Sequence, residues 1–287
     1  MKKKPDGGQW TTVIEARNGW LDLNIREWWR YRDLILLFVK RNFTVVYKQT
    51  ILGPLWAILQ PLLTTVIFTV VFGNLAGLPT DDVPPFLFYM CGNVAWSYFA
   101  SCLNGTSKTF IDNSKVFGKV YFPRMAVPIA TVITNLITFV IQFVFFLCFL
   151  LYFATRPDSI ITLNWGLMGL CLAALLQMAM LGLGFGVIVS ALTTKYRDLQ
   201  MLVAFGVQLW MYATPVTYAS SVVPAQYLAL YRLNPMTPVI ELFRAAFLGA
   251  GSFDLTSYFV SIGVTFVALF IGLILFNRIE KTFMDTV

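Results

Sequence analysis

The side chains best suited to bind an anionic ligand are basic residues just before the first long apolar stretch. On a helix placed over residues 31–49, Arg41 and Lys48 lie on one side and Lys40 lies within about a quarter-turn of them, at about 100° per residue. Lysine and arginine both bind phosphate groups, and a basic amphipathic helix is suited to the inner membrane surface. This stretch could meet a phosphate-bearing substrate, although a simple membrane-surface anchor would have the same pattern.

A second basic stretch, residues 112–124, has the composition of a short amphipathic helix. Lys115 and Lys119 are four residues apart and share one face of such a helix. Its apolar contact face would consist of Phe117, Val120 and Tyr121. Pro123 is expected to end it. A helix lying across the cytoplasmic ends of two spans would tilt both when pushed, while a solvated basic loop would look similar in sequence.

Several kinds of chemistry are excluded by composition. The chain has 287 residues and no histidine, which excludes a histidine metal site, general base or paired nucleophile. Its four cysteines lie in apolar runs without a C-x-x-C pattern, which favours buried hydrophobic side chains over metal ligands. No G-x-x-x-x-G-K-[ST] motif occurs, so this chain cannot bind ATP by a P-loop, and if ATP powers it the ATPase must be a separate polypeptide.

The overall composition indicates an all-α integral membrane protein. Hydrophobic residues make up 58% and charged residues 12%, whereas about one quarter of a soluble domain is charged. Soluble enzymes, disordered regulators and secreted disulfide scaffolds are therefore excluded. A bilayer core of about 30 Å requires about 20 apolar residues per helix. Six predicted spans satisfy this requirement: residues 51–72, 86–107, 125–153, 165–192, 199–217 and 256–276.

The distribution of basic residues predicts the orientation of these spans. With six spans, 18 lysine and arginine residues fall on one side of the membrane and three on the other. Basic residues accumulate on the cytoplasmic side, so both termini are predicted to be cytoplasmic. The net charge of +7 is explained in the same way and implies no nucleic-acid partner. Residues 1–30 form a polar cytoplasmic extension without an evident cleavable signal, and residues 31–287 form the membrane domain.

The outer connection between spans five and six, residues 218–255, is long and moderately apolar. Pro224, Pro235 and Pro238 interrupt it too often for two further full spans. We predict a re-entrant or interfacial helical hairpin, because irregular backbone at membrane depth must pack against protein or line a water-filled cavity. A plain external loop is the alternative.

The interiors of the six predicted spans contain no Asp, Glu, Lys or Arg. Transporters driven by ion or proton gradients usually need ionisable groups there, so this composition argues against them. The spans do contain neutral polar residues: Gln60, Thr64, Thr65, Asn93, Ser97, Asn104, Asn135, Gln142, Gln177 and Gln208. Such residues either hydrogen-bond between helices or line a polar path. Deep aromatic residues, among them Trp56, Tyr89, Trp96 and Trp210, either pack against helices or lipid or stack on a ligand.

Four motifs resemble those of polysaccharide-exporting ABC permeases, the type-2 ABC subunits that move O-antigen, teichoic acid or capsule chains. They are Lys40-Arg41-Asn42 with Tyr47-Lys48-Gln49-Thr50-Ile51-Leu52-Gly53-Pro54-Leu55-Trp56 and Gln60-Pro61; Lys119-Val120-Tyr121-Phe122-Pro123-Arg124; Tyr196-Arg197-Asp198; and Leu233-Asn234-Pro235-Met236-Thr237-Pro238 with Glu241 and Arg244. They occur in family order and together cover nearly the whole chain after Trp29. The resemblance does not extend to the first 31 residues.

This resemblance implies a permease of the bacterial inner membrane that works as a homodimer with two separate ATPase subunits. This chain would bind no cofactor, and ATP and Mg²⁺ would be bound by the ATPases. The substrate would be a lipid-linked polysaccharide whose pyrophosphate is met from the inner leaflet. The implied ATPase contacts are Lys115, Phe117, Lys119, Val120, Tyr121, Phe122, Pro123 and Arg124. The implied substrate gate is Lys40, Arg41, Tyr47 and Lys48. Candidate channel-lining residues are Trp56, Gln60, Tyr89, Trp96 and Trp210, and the implied outer gate is Asn234, Pro235, Glu241 and Arg244.

Other functions remain open at this point. A type-2 ABC permease for a drug, haem or a small lipid would share the architecture, although the motifs around Trp56 and Tyr121 argue against it. A membrane glycan transferase or ligase would usually need a carboxylate, histidine or metal near the membrane surface, and few outer acids are present. A passive channel or scaffold is a third possibility.

Overall fold

The computed structural model describes residues 29–48, 50–119, 122–157, 161–193, 196 and 198–286, with the backbone alone at 115, 225, 229 and 280–286. Within these ranges the chain is helical or forms turns, without a β-strand. The α-helices are α1 Arg32–Tyr47, α2 Trp56–Phe68, α3 Pro85–Ser107, α4 Thr109–Asp112, α5 Ser114–Phe117, α6 Ala126–Ala154, α7 Trp165–Thr193, α8 Leu199–Tyr212, α9 Leu228–Leu233, α10 Thr237–Phe247 and α11 Leu255–Thr286. Several predictions fall outside this description: residues 1–28, Val120, Tyr121, Arg197 and the side chain of Lys115.

Five of the predicted spans are helices long and apolar enough to cross a membrane. They are Gly53–Leu75, Pro85–Ser107, Ala126–Ala154, Trp165–Thr193 and Leu255–Ile279. The stretch predicted as the fifth span along the chain forms a shorter helix, α8, of 14 residues. At 1.5 Å per residue, α8 is about 21 Å long, which is less than a bilayer core of about 30 Å. The all-helical membrane fold is confirmed, and the count of six spans stays a prediction.

The first span combines three kinds of helix around a proline. A 3-10 turn, Gly53–Leu55, precedes α2, and a π-helical segment, Thr69–Leu75, follows it. Pro61 within α2 has no N–H to donate to the carbonyl of Ala57 four residues earlier. Gln142 of α6 donates its side-chain N–H to that carbonyl at 3.1 Å instead. A polar residue from a neighbouring helix thus completes the hydrogen bonding that the proline interrupts.

Glycines bring α7 into close contact with two other spans. A Cβ added at Gly182 would lie 2.6 Å from Cys102 Cβ of α3, and one at Gly184 would lie 2.8 Å from Leu269 N of α11. Side chains larger than hydrogen therefore do not fit between these helices. The G-x-x-x-G pattern of Gly182 and Gly186 is typical of such close helix contacts.

The outer connection 218–255 contains helical turns together with α9 and α10. Nearly every side chain of α10 is buried, and this helix packs against α3, α7 and α11. The segment thus packs into the body of the protein. This is the arrangement expected of a helical hairpin whose backbone polar groups must find hydrogen-bond partners within the protein. Its depth in the bilayer stays a prediction.

A separate apolar cluster lies at the cytoplasmic end predicted from the basic residues. It includes side chains of α1, α4 and α11 and of the segment between α4 and α6. Its buried aromatic members are Phe38, Phe110, Phe117, Phe122 and Phe276. We call these five residues the cytoplasmic aromatic cluster.

Candidate functional site

The most distinctive feature between the spans is a polar cavity of about 500 Å³. It is bounded by α2, α3, α6 and α8 and by the end of α1. Its polar lining consists of uncharged amide and hydroxyl side chains: Gln60, Thr64, Asn93, Ser97, Ser101, Asn104, Thr138, Gln142 and Gln208. We call it the polar cavity. Most of the neutral polar residues predicted in the spans therefore line one cavity; a role for that cavity as a path stays a prediction.

Helical periodicity explains why α3 supplies so much of this lining. Asn93, Ser97, Ser101 and Asn104 follow one another at spacings of four, four and three residues, and so lie on one face of the helix. Other neutral polar residues instead join helices. Gln177 of α7, for example, donates a hydrogen bond to Ser261 Oγ of α11.

The predicted channel-lining residues divide into three groups. Trp56, Gln60 and Trp96 line the polar cavity, and Trp56 is 48% exposed. Trp210 lines a different cavity on the outer side. Tyr89 lines neither cavity and is completely buried, and its role as a channel-lining residue stays a prediction. Depth along a helix is readable from sequence, whereas the direction of a side chain depends on the neighbouring helices.

The outer cavity has a volume of about 670 Å³ and a mainly aromatic and aliphatic lining. Trp210 and Asn234 both line it, and Trp210 Nε1 donates to Asn234 Oδ1 at 3.0 Å. The ring of Trp210 also meets the ring of Trp96 edge to face, with centroids 6.2 Å apart. The two tryptophans therefore stand between the polar cavity and the outer cavity.

The end of α1 reaches the polar cavity. Tyr47 lines the cavity, and its hydroxyl lies 3.3 Å from Thr138 Oγ1 of α6. Lys40 and Lys48 are exposed. Lys40 and Arg41 thus lie on a helix whose last residue, Tyr47, lines the cavity, and Lys48 directly follows that helix.

Arg41 links α1 to the segment that was predicted to contact an ATPase. Its guanidinium donates to Asn113 Oδ1 at 3.3 Å and lies over the ring of Phe38, 4.7 Å from the centroid. Phe38 in turn packs against Phe122, with ring centroids 5.6 Å apart. Two contacts of different kinds therefore hold α1 to residues 112–124.

The structure corrects part of the prediction for residues 112–124. The helix α5 ends at Phe117 and does not continue to Pro123, because Gly118 and Lys119 form a turn. Phe117 is buried and contacts Phe110 and Phe122. As a buried residue it cannot offer its ring to a partner, and the same is true of Phe122.

The remaining basic residues of this segment have different surroundings. Lys119 is exposed. The guanidinium of Arg124 lies over the ring of Phe117, 5.6 Å from its centroid. The carbonyl of Pro123 accepts a hydrogen bond from the N–H of Ala126, the first residue of α6. Pro123 therefore stands at the start of α6 and not at the end of a coupling helix.

Two of the predicted outer-gate residues form a buried ion pair. Arg244 is fully buried, and its Nη1 lies 3.6 Å from Glu241 Oε1. Arg244 also donates to the carbonyl of Val216 at 3.0 Å and lies over the ring of Phe88, 3.6 Å from the centroid. Burial lowers the pKa of the Arg244 guanidinium, and the nearby Glu241 carboxylate opposes that change. These contacts hold α10 against α3 and against the segment that follows α8.

Asn234 and Pro235 form the junction between α9 and α10. Asn234 donates to Thr214 Oγ1 at 2.8 Å and accepts from the backbone N–H of Met236 at 3.1 Å. The carbonyl of Pro235 accepts a hydrogen bond from the hydroxyl of Ser261 on α11. Within the described residues, no three Cys, Asp or Glu side chains come together as metal ligands.

Comparison with known proteins places this arrangement in a family. Residues 33–248 match the family described as ABC-2 type transporter. The chain belongs to the ABC-2 type transporter family. The ABC-2 match begins in α1 and ends just after α10, so it includes nearly all of α1, the residues of the polar cavity and the outer connection as far as residue 248.

Individual relatives carry more specific names. The chain is 29% identical over 254 residues to an O-antigen export system permease protein RfbA of Klebsiella pneumoniae, covering 88% of this chain and 94% of that protein. It is 27% identical to the RfbA permease of Myxococcus xanthus, covering 78% and 83% of the two chains. It is 24% identical to the polysialic acid transport protein KpsM of Escherichia coli, covering 82% and 89%.

Two polar residues that line the polar cavity were missed from sequence. Ser101 lies four residues from Ser97 on the same face of α3, so helical spacing could have found it. Thr138 of α6 has no comparable signal. Threonine is common in helices of this kind, where it can hydrogen-bond its own backbone, and only the packing of α6 against α2 and α3 brings Thr138 to the cavity.

Proposed function

We propose that this chain is the transmembrane permease subunit of an ATP-driven exporter that moves lipid-linked polysaccharide from the cytoplasmic side outward. The observation that carries this proposal is the polar cavity, which places uncharged hydrogen-bonding groups among membrane-spanning helices. The names of relatives that match most of the chain point in the same direction, since they are export permeases for O-antigen and a transport protein for polysialic acid.

The lining of the polar cavity suits a polymer rich in hydroxyl groups. Amides and hydroxyls can both donate and accept hydrogen bonds, so they can exchange partners as successive sugar units pass. Trp56 adds a partly exposed aromatic face against which a sugar ring can lie. Many weak and similar contacts favour a sliding chain over a substrate held in one position.

A second copy of the chain would complete the cavity wall. Gln60 of α2 and Gln208 of α8 both line the cavity and are both exposed in the single chain. A free amide facing lipid is unfavourable because hydrocarbon offers no hydrogen-bond partner. Homodimerisation across α2 and α8 would enclose these amides and convert the open cavity into a path between two subunits.

The energy would come from ATP, with Mg²⁺, bound to two copies of a separate ATPase. On this chain the docking region would be residues 112–124 together with the exposed side of α1. Lys119 and Lys40 are both exposed there and could meet acidic groups of a partner. Because Arg41 bonds to Asn113, a push on residues 112–124 would also move α1, whose Tyr47 lines the cavity.

The test of the path is a pair of tryptophan substitutions in the native bacterium. A strain without the gene should accumulate lipid-linked polysaccharide inside the cell, and the unaltered chain should restore export. Ser101→Trp fills the polar cavity and should abolish the restoration. Val144→Trp adds the same side chain on an exposed position of α6 that does not line the cavity, and should restore export.

The contact with the ATPase has its own test. The double substitution Lys115→Ala and Lys119→Ala should uncouple ATP hydrolysis from export while leaving the membrane level of the protein unchanged. Normal export by this double variant would contradict the docking role. Accumulation of a drug, haem or a small lipid in the deletion strain, with normal surface polysaccharide, would contradict the proposed substrate.

A further inference from the structure

The last helix, α11, connects the two ends of the membrane domain. It runs from Leu255 to Thr286 without interruption and contains 32 residues. Its contacts at three levels are of kinds that transmit displacement well: stacked rings, touching backbones and buried hydrogen bonds. All three sets of contacts involve residues 255–279, the part of the helix that the structure describes with its side chains.

At the cytoplasmic level, the ring of Phe276 packs α11 against α4. Phe276 is 1% exposed, and its ring stacks on Phe110 with centroids 4.7 Å apart and an angle of 29° between the planes. Phe110 of α4 also contacts Phe117, with ring centroids 6.0 Å apart. Through Phe117 and Phe276, the cytoplasmic aromatic cluster thus joins residues 112–124 to α11.

At mid-helix, α11 and α7 touch through their backbones. A Cβ added at Gly272 would lie 2.7 Å from the carbonyl oxygen of Gly184, and one at Gly184 would lie 2.8 Å from Leu269 N. Helices in such close contact pack as a pair, since a shift of one helix brings its backbone against the other.

At the outer level, α11 is bound both to α7 and to the outer connection. Gln177 donates its side-chain N–H to Ser261 Oγ, and the Ser261 hydroxyl donates to the carbonyl of Pro235. Gln177 and Ser261 are both almost completely buried. Pro235 lies between α9 and α10, so this chain of hydrogen bonds reaches the outer connection itself.

We propose that α7 and α11 form a rigid strut that carries movement of residues 112–124 to the outer connection, with Phe276 and Ser261 as its positioning residues. This inference rests on the proposed function, in which an ATPase moves residues 112–124. From Phe276 to Ser261 is 15 residues, or about 22 Å of helix. A stiff element of that length can couple a cytoplasmic event to an exit gate without any change in the polar cavity between them.

The test measures whether the outer connection responds to nucleotide. The chain and its ATPase are purified together and reconstituted in nanodiscs, in a Cys148→Ser background that removes the exposed native thiol. Leu230→Cys places a reporter thiol on α9, where the native side chain is 71% exposed. The labelling rate of this thiol by a membrane-impermeant maleimide is then compared without nucleotide and with trapped ATP.

We expect the labelling rate to differ about fivefold or more between the two nucleotide states, which is the lower end of ordinary allosteric coupling. Phe276→Ala and Ser261→Ala should each remove that difference while ATP hydrolysis continues. Phe276→Leu keeps most of the buried volume and should retain the difference. Phe266→Ala is the matched control, because Phe266 lies on the same helix but is 57% exposed.

The double variant Phe276→Ala with Ser261→Ala provides a second criterion. If the two residues act along one element, either substitution alone already interrupts the coupling. The double variant should then export as much polysaccharide as the poorer single variant. Independent effects would multiply, and this would contradict the inference. If Phe276→Ala reduces the protein level, Ser261→Ala and Phe276→Leu still carry the comparison.

The outcomes separate the inference from the proposed function. Polysaccharide export by the reconstituted complex, with a nucleotide response that survives Phe276→Ala, would overturn the strut and leave the proposed function standing. The absence of any nucleotide response at Leu230→Cys in an exporting complex would overturn it as well. A complex that hydrolyses ATP but exports no polysaccharide would overturn the proposed function, and the strut with it.

Discussion

Removal of the buried guanidinium of Arg244 is expected to destabilise the protein strongly. Arg244 lies wholly inside the protein, 3.6 Å from Glu241 Oε1. It donates to the carbonyls of Val216 at 3.0 Å and of Tyr218 at 3.4 Å. It also lies over the ring of Phe88. Arg244→Met keeps an unbranched apolar stem but removes the charge and every donor.

The expected loss of stability comes from the Glu241 carboxylate that remains when Arg244 is replaced. Glu241 is 3% exposed and would become a buried carboxylate without its cation, although it would still accept the backbone N–H of Ser252 at 2.8 Å. Removing one member of a buried ion pair costs about 3–5 kcal/mol. The desolvated cation–π contact with Phe88 contributes about 2 kcal/mol, so we expect a value in the upper part of that range for Arg244→Met.

The assay is the free energy of unfolding in mixed micelles, followed by tryptophan fluorescence as the fraction of denaturing detergent rises. The double variant Arg244→Met with Glu241→Gln should recover at least half of the loss, because the second substitution removes the unpaired charge while keeping the shape of the side chain. Arg156→Met, at an exposed arginine, serves as the control and should change stability by about 0.5 kcal/mol or less.

Two results would refute this reasoning. A loss below about 1 kcal/mol for Arg244→Met would place it among ordinary substitutions and would mean that the ion pair carries little of the stability. Strict additivity of the two substitutions would mean that the two side chains do not interact.

Two further predictions concern a close contact between two helices and the hydrogen bonds at the start of α11. Gly186→Ala should reduce the amount of folded protein in the membrane, because the new Cβ would overlap Thr106 Oγ1 on α3, whereas Gly169→Ala on the same helix meets no atom within 4 Å and should be tolerated. Hydrogen bonds from the hydroxyl and N–H of Ser257 and from the N–H of Thr256 lower the pKa of Asp254, the residue before α11. The Asp254 carboxylate therefore stabilises the start of α11 at neutral pH, and this stabilisation is lost as the pH falls from 3.8, the usual pKa of aspartate, toward the lower pKa of Asp254 in the folded protein. Over that pH range, protection of the Ser257 amide from hydrogen exchange should decrease in the native chain. It should not decrease in Asp254→Asn.

The extent and type of the long helices could be predicted because they follow from local composition. The predicted spans 86–107, 125–153 and 165–192 agree with α3, α6 and α7 to within a residue at most ends. Apolar length decides these helices whatever their neighbours are, since only a helix satisfies its own backbone in hydrocarbon. The α8 region differs because its backbone turns after Tyr212, although its composition stays apolar.

Side-chain direction could not be predicted in the same way. Phe117 was expected to face a partner and is buried, because the sequence shows that one face of a short segment is apolar but not which neighbour covers it. Gln142 could be identified as a polar residue in a span, but its bond to the carbonyl of Ala57 depends on two helices meeting at the level of Pro61.

The sequence by itself determined that this is a helical membrane protein with uncharged spans and with basic residues concentrated in the segments outside them. Hydrophobicity and charge act through the solvent, and each residue carries them regardless of its contacts. Only the tertiary structure decided that amides and hydroxyls from four helices share one cavity, that Arg41 bonds to Asn113 and that Phe276 stacks on Phe110. These features depend on helix rotation and register, which are fixed by close packing between residues far apart in the chain.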